Sequence, residues 1–123
     1  MRILLDTHIA IWWLAGDGRL RRAGREIIEA ADVAYLSSVS VWEIVVKQGR
    51  GRLDLPADFV DALLEDFDEL PLRSDHALEG RSLPRFHGDP FDRMLVAQAR
   101  VEGLRLMTAD AAMEGYEVPV VRP

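Results

Sequence analysis

Arg2-Ile3-Leu4-Leu5-Asp6-Thr7-His8 opens the chain with an apolar run that stops on an acid. A short continuous apolar run, without alternation, is the pattern of a strand buried on both faces, as in a parallel sheet. The same grammar returns near the other end, where Leu104-Arg105-Leu106-Met107-Thr108 runs into Ala109-Asp110. Between the two, apolar runs alternate with segments of helical spacing. Strands alternating with helices imply βαβ units, hence an α/β fold with a central, mainly parallel sheet and helices on both faces. Ligands of such sheets bind outside the carboxyl ends of the strands, which is where Asp6 and Asp110 fall.

Working outward, the sequence predicts a strand over 2–5, a helix over 8–15 closed by Gly16-Asp17-Gly18, a helix over 20–31 and a strand over 33–36. Ser37-Ser38 opens a helix to about Gln48, which Gly49-Arg50-Gly51 stops. Pro56 introduces a helix with Phe59, Val60, Leu63 and Leu64 on its apolar side, 69–72 reads as a short strand, and Ser74 caps a helix to about Arg81. After a loop over 83–88, Asp89-Pro90 sets an N-cap and a first-turn proline before a long helix to Glu102, closed by Gly103. A strand over 104–108, one helical turn over 111–114 and a last strand over 118–121 complete the expected order. With 123 residues, 49% of them hydrophobic, and no repeat or linker, residues 1–123 are read as one domain with a real core.

Composition removes several chemistries. The absence of cysteine excludes disulfides, thiolate metal sites and a cysteine nucleophile. His8, His76 and His87 lack the spacing of a zinc motif. No apolar stretch approaches the length of a membrane span, and Met1-Arg2 leads into a strand instead of a signal-peptide core, so a cytoplasmic protein is expected. Fifteen basic and 21 acidic residues give a net charge of −6, which argues against binding nucleic acid by bulk electrostatics. It does not argue against a nuclease whose acids are covered by metal. Arg19, Arg21, Arg22 and Arg25 form one basic run and Lys47, Arg50 and Arg52 another; either is a positive rim beside an acidic site or an ordinary solvated face.

Asp6, Glu43, Asp92 and Asp110 each lie where an apolar run meets a turn or the first turns of a helix. Carboxylates gathered in space raise one another's pKa, and a divalent cation resolves that conflict. Oxygen-only ligands favour Mg²⁺ or Mn²⁺ over zinc, and such an ion binds phosphate and activates water. Each acid also has a structural reading. Asp6 and Asp110 stand as helix caps, Asp92 sits at a positive helix end, and Glu43 belongs both to a capping-box pattern with Ser40 and to an i,i+4 pair with Lys47. Thr7, Thr108 and Ser38 stand where hydroxyls orient carboxylates or serve the local backbone, whereas Gln98 carries no distinctive chemistry. Trp12, Trp13 and Trp42 cannot all face one core, since Trp12 and Trp13 are about 100° apart around a helix, so at least one is expected to be partly exposed; with Ile9, Ile11 and Leu14 they offer apolar surface to a partner helix.

Leu4-Leu5-Asp6-Thr7-His8, Ser37-Ser38-Val39-Ser40-Val41-Trp42-Glu43-Ile44 with Lys47, Asp89-Pro90-Phe91-Asp92-Arg93-Met94-Leu95-Val96-Ala97-Gln98-Ala99 and Leu106-Met107-Thr108-Ala109-Asp110 together resemble the successive motifs of PIN-domain proteins, most nearly the VapC-type toxins. The resemblance covers essentially the whole chain. It implies a single α/β/α domain and an Mg²⁺- or Mn²⁺-dependent endoribonuclease that leaves 5′-phosphate and 3′-hydroxyl ends. Asp6, Glu43, Asp92 and Asp110 would hold the metal, with Asp89 a nearby acid. It further implies a homodimer and the toxin half of a type II toxin–antitoxin pair, held inactive by a small DNA-binding antitoxin whose C-terminal segment crosses the site. The alternative is a catalytically silent PIN scaffold that binds RNA or protein. A haloacid-dehalogenase-type phosphatase would need an acid where His8 stands, and a receiver domain an acid where Leu5 precedes Asp6.

Overall fold

Arg2–Leu5 (β1) forms the middle of a five-stranded parallel sheet, flanked by Val33–Ser37 (β2) and Arg105–Met107 (β4), with Asp68–Leu70 (β3) and Val120–Val121 (β5) at the edges. The strand order is β3-β2-β1-β4-β5. The computed structural model describes residues 1–84, 89–116 and 120–123. Ile3, Leu4 and Leu5 are wholly buried, as an apolar run without alternation requires when both faces of a sheet are covered.

Side chains of successive strand residues leave on opposite faces, so β1 feeds two separate cores. Ile3 and Leu5, with Met107, pack against Ile9 and Ala10 of Thr7–Ala15 (α1), Ile28 of Arg22–Ala30 (α2), Ile44 of Ser38–Gly49 (α3), and Phe59 and Leu63 of Phe59–Asp66 (α4). Leu4, with Leu106, packs against Leu95, Val96 and Ala99 of Pro90–Glu102 (α6) and Met113 of a 3₁₀ turn, Ala111–Gly115. Ser74–Gly80 (α5) lies along α6. At roughly 2 kcal/mol for each fully buried Leu or Ile, these layers supply the main force holding the helices to the sheet.

Several boundaries differ from the sequence reading, each for a local reason. Ser37 ends β2 and caps α3, its Oγ accepting the Val39 N–H at 3.0 Å, so the helix starts at Ser38. The helix expected from Pro56 starts at Phe59, because Pro56 closes a turn in which its carbonyl accepts the Phe59 N–H at 3.1 Å. Leu20 and Arg21 precede α2, and β3 starts one residue early and ends at Leu70. Ser74 is the first residue of α5, not its cap; the Arg73 N–H is instead taken by Nδ1 of the buried His76 at 3.0 Å. Residues 85–88 of the expected loop and Val118 and Pro119 of the expected last strand lie outside the described residues.

Two helices end as predicted on glycines in the left-handed region, Gly16 at φ 67° and Gly103 at φ 66°. A Cβ added at Gly103 would meet nothing within 4 Å, so its cost is conformational, not steric. Gly103→Ala is expected to lower unfolding stability by about 1 kcal/mol, read as a lower urea midpoint with an unchanged slope.

Candidate active site

The strand order reverses direction between β1 and β4, and the chain leaves the carboxyl ends of these two neighbours toward different parts of the fold. A crevice at such a switch point is where α/β sheets place ligands. The backbone there is tightly tied, with the Asp6 N–H donating to the Met107 carbonyl at 2.9 Å and the Thr108 N–H to the Val121 carbonyl at 3.1 Å.

Asp6 follows β1 directly and is buried. Its Oδ1 accepts the His8 N–H at 3.4 Å, the expected capping of α1, while Oδ2 accepts the Thr108 hydroxyl at 2.6 Å. Thr108 Oγ1 in turn accepts the Asp110 N–H at 3.0 Å, so one buried hydroxyl joins the Asp6 carboxylate to the backbone of the second acid. Burial pushes the Asp6 carboxyl above its ordinary value, and the Thr108 hydrogen bond works against that rise.

Glu43 reaches the same region from α3 and is buried as well. Its Oε1 accepts the Thr7 hydroxyl at 2.7 Å and its Oε2 the Lys47 ammonium at 2.5 Å. Thr7 Oγ1 also lies 2.8 Å from Ser40 Oγ. A carboxylate can only accept, so the single Thr7 proton goes to Glu43 and Ser40 donates to Thr7. The pairing with Lys47 is as expected; the capping-box reading is not, because α3 is capped by Ser37 and Ser40 sits within the helix. Of the three hydroxyls singled out from sequence, Thr7 and Thr108 orient carboxylates, whereas Ser38 Oγ accepts the Leu72 N–H at 2.9 Å.

Asp89 caps α6, its Oδ1 accepting the N–H groups of Phe91 at 2.9 Å and Asp92 at 3.2 Å. Asp92, half-buried in the first turn, is thereby relieved of the capping role. Its carboxyl is pushed up to about 8, first by burial and then by the charges of Asp6, Asp89, Glu43 and Asp110. A proton on one carboxyl therefore senses all the acids that the sequence singled out. Asp110 is exposed and caps the 3₁₀ turn through the Ala112 N–H at 2.9 Å. Among the described residues, no three acidic or histidine side chains converge tightly enough to hold a metal ion as they stand. The donor chemistry of these acids nevertheless suits a hard divalent cation, since each offers carboxylate oxygens.

Sequence reasoning passed over Gln98. It is wholly buried, its Oε1 accepts the Ser37 hydroxyl at 2.5 Å and its Nε2 reaches the Pro71 carbonyl at 3.5 Å. This amide braces α6 against the cap of α3, the two helices that carry Asp92 and Glu43. The available signal was a polar residue inside the apolar stretch Leu95–Ala99, where an amide is retained only if it is bonded. As expected, the tryptophans are not all in the core. Trp12 and Trp13 are both half-buried, and Trp13 is covered by a 3.0 Å bond to Asp66, the Phe67 ring at 5.7 Å and the Arg25 guanidinium at 5.2 Å. The widely exposed tryptophan is Trp42, at 61%. The basic runs divide likewise: Arg25 turns inward to the carbonyls of Trp12 and Trp13 and Lys47 to Glu43, while Arg22 pairs with Glu26 on the surface.

A five-stranded parallel sheet of order β3-β2-β1-β4-β5, with helices on both faces, is the α/β architecture of a PIN-type domain. The chain belongs to the PIN-domain family, whose model matches residues 3–118. It is 33% identical over 121 residues to ribonuclease VapC22 of Mycobacterium tuberculosis, covering 95% of this chain and 93% of that one. Among solved structures it resembles VapBC2 from Rickettsia felis bound to a promoter DNA fragment, with a TM-score of 0.78 at 13% identity over 99% of this chain and 98% of the other. DNA-bound VapBC from Salmonella typhimurium gives a TM-score of 0.74 at 15% identity over 99% and 98%. At those identities the structural likeness speaks to the fold. Among the described residues, no helix is long and apolar enough to cross a membrane.

Proposed function

We propose that this chain is a metal-dependent endoribonuclease, the toxin of a type II toxin–antitoxin pair, acting in the cytoplasm on RNA phosphodiester bonds. The single observation that carries the chemistry is the Asp92 carboxyl, pushed up to about 8 by burial and by four neighbouring acids drawn from the rest of the chain. A protein tolerates such a conflict where a cation resolves it, and groups so perturbed cluster at functional sites. The one-third identity to a ribonuclease over nearly the whole chain supports RNA as the substrate.

Asp6, Glu43, Asp92 and Asp110 would hold Mg²⁺ or Mn²⁺, with Asp89 fixing the start of the helix that carries Asp92. The ion would supply Lewis-acid stabilisation of negative charge on a phosphate and activation of water. The chain's own contribution is orientation. Thr108 and Thr7 orient the Asp6 and Glu43 carboxylates, and Lys47 pairs with the buried Glu43. Closing on an ion then asks for side-chain rotation at half-buried Asp92 and exposed Asp110, not at the two anchored acids. No protein nucleophile is required, and none of cysteine type exists in the sequence.

The partners that follow are a small antitoxin, able to bind DNA as the similar VapBC assemblies do, and a second copy of this chain. Incubating the protein with a panel of structured RNAs and Mg²⁺ or Mn²⁺ is expected to give metal-dependent cuts with 5′-phosphate and 3′-hydroxyl ends. EDTA and Asp6→Asn should each abolish them. RNA binding without cleavage, in either metal, would instead favour a silent scaffold.

A further inference from the structure

Beside the carboxylates the surface dips into an open cavity of about 300 Å³, lined by Asp6, His8, Trp12, Arg19, Ala109 and Asp110. One wall is acidic, but the floor is of a different kind. The Arg19 guanidinium carbon lies over the Trp12 ring, 4.9 Å from its centre, a cation–π contact. Its plane is held by Asp17, whose carboxylate accepts Nη2 at 2.7 Å and Nε at 3.2 Å, and whose Oδ1 also accepts the Arg19 N–H at 2.9 Å. The Arg19 side chain remains 68% exposed, so the guanidinium face turned away from the indole is open. His8, 59% exposed, stands at the side, its ring tilted 45° to Trp12 at 6.2 Å and its Nδ1 4.0 Å from Asp6 Oδ1.

An arginine beside an acidic site is ordinarily read as charge compensation. Here that role is taken, because Asp17 neutralises Arg19 and no contact ties it to Asp6 or Asp110. What the arrangement leaves is a flat, preorganised cationic surface next to the acids. Flat guanidinium and aromatic faces are what proteins offer to nucleobases that have left a helical stack, and base faces inside a duplex cannot reach them.

We propose that this cavity is a subsite for one unpaired nucleotide next to the scissile phosphate, its base stacked on the outer face of Arg19 with Trp12 beneath. His8 walls the base off from Asp6 and presents an imidazole N–H to the adjoining backbone. The inference rests on the ribonuclease reading above and adds to it a preference for single-stranded segments. It also gives Asp17 a task, to hold a stacking plane.

The test uses a fluorescein-labelled RNA hairpin with a single-stranded loop, whose cut site is first mapped with the wild-type protein. Abasic nucleotides then replace, in turn, the base on either side of the cut. One of the two is expected to lower kcat/KM about tenfold. Arg19→Ala should lower kcat/KM on the intact hairpin by a similar factor and become indifferent to that abasic substitution. Arg19→Lys, which keeps the charge and loses the plane, should behave like Arg19→Ala. Arg105→Ala, an exposed arginine at the start of β4, should change neither number. If the abasic and Arg19→Ala losses multiply, or if Arg19→Lys cleaves like wild type, the stacking subsite is overturned while the nuclease stands. A wild-type protein that cuts no RNA overturns the nuclease reading and the subsite with it.

Discussion

Asp92→Asn is expected to abolish RNA cleavage and, in metal-free protein at alkaline pH, to make the fold more stable. The two effects share one cause. In the folded chain the Asp92 carboxyl is pushed from 3.8 up to about 8, whereas in the unfolded chain it loses its neighbours and its burial. Between those values the folded state holds a proton that the unfolded state has released, so stability falls as pH rises. Above about pH 8 the penalty is complete, and below about pH 4 it vanishes. Asparagine carries no such charge. The side chain is only half-buried, so solvent screening leaves a fraction of the nominal value, about 1–2 kcal/mol in favour of the variant at pH 9. Cleavage should drop by about 100-fold or more, since a ligand of the cation is lost. Thermal melts from pH 4 to pH 9 in EDTA, beside cleavage assays in Mn²⁺, measure both. Wild-type cleavage rates for Asp92→Asn and Asp110→Asn together would mean that the active site lies elsewhere.

The sheet and the long helices were legible because their signals are local. Leu4-Leu5-Asp6 can be read as a buried strand ending on an acid without knowing its neighbours, and Asp89-Pro90 with Gly103 brackets α6 by the backbone chemistry of its two ends. Asp6 and Asp110 stand out for the same reason, each capping the element that follows a strand, and Asp92 lies in the first turn of α6, whereas Glu43 lies in the middle of α3. What sequence could not show is set by pairing across the fold. The cap of α3 turned on whether Ser37 or Ser40 met the first free N–H groups, and Ser40 was already committed to Thr7. The cap of α5 turned on a buried histidine. Gln98 looked empty of chemistry because its partners, Ser37 and Pro71, are far away in sequence. Trp12 and Trp13 were read as partner surface because helical spacing shows only their own helix; the arginines that cover them come from the turn before α2 and from α2 itself.

Adding Mg²⁺ or Mn²⁺ to the metal-free protein is expected to raise its melting temperature. Any ion that binds the folded chain and not the unfolded one stabilises it, by about 2.7 kcal/mol at 100 times its dissociation constant. For a chain of this size that is a rise on the order of 10 °C. Asp6 is the informative position. Its carboxylate is already anchored by Thr108 and His8, so Asp6→Asn removes a preoriented ligand and should erase most of the shift. Asp32→Asn is the matched control: Asp32 is also an aspartate, pairs with the N-terminal ammonium just before β2, and lies at the other end of the strands, so its metal-dependent rise should equal that of wild type. A rise retained in Asp6→Asn and lost in Asp32→Asn would move the cation to the amino ends of the strands. No rise in either metal would contradict a cation site among these acids, and the burden Asp92 carries would then be a cost of the fold alone.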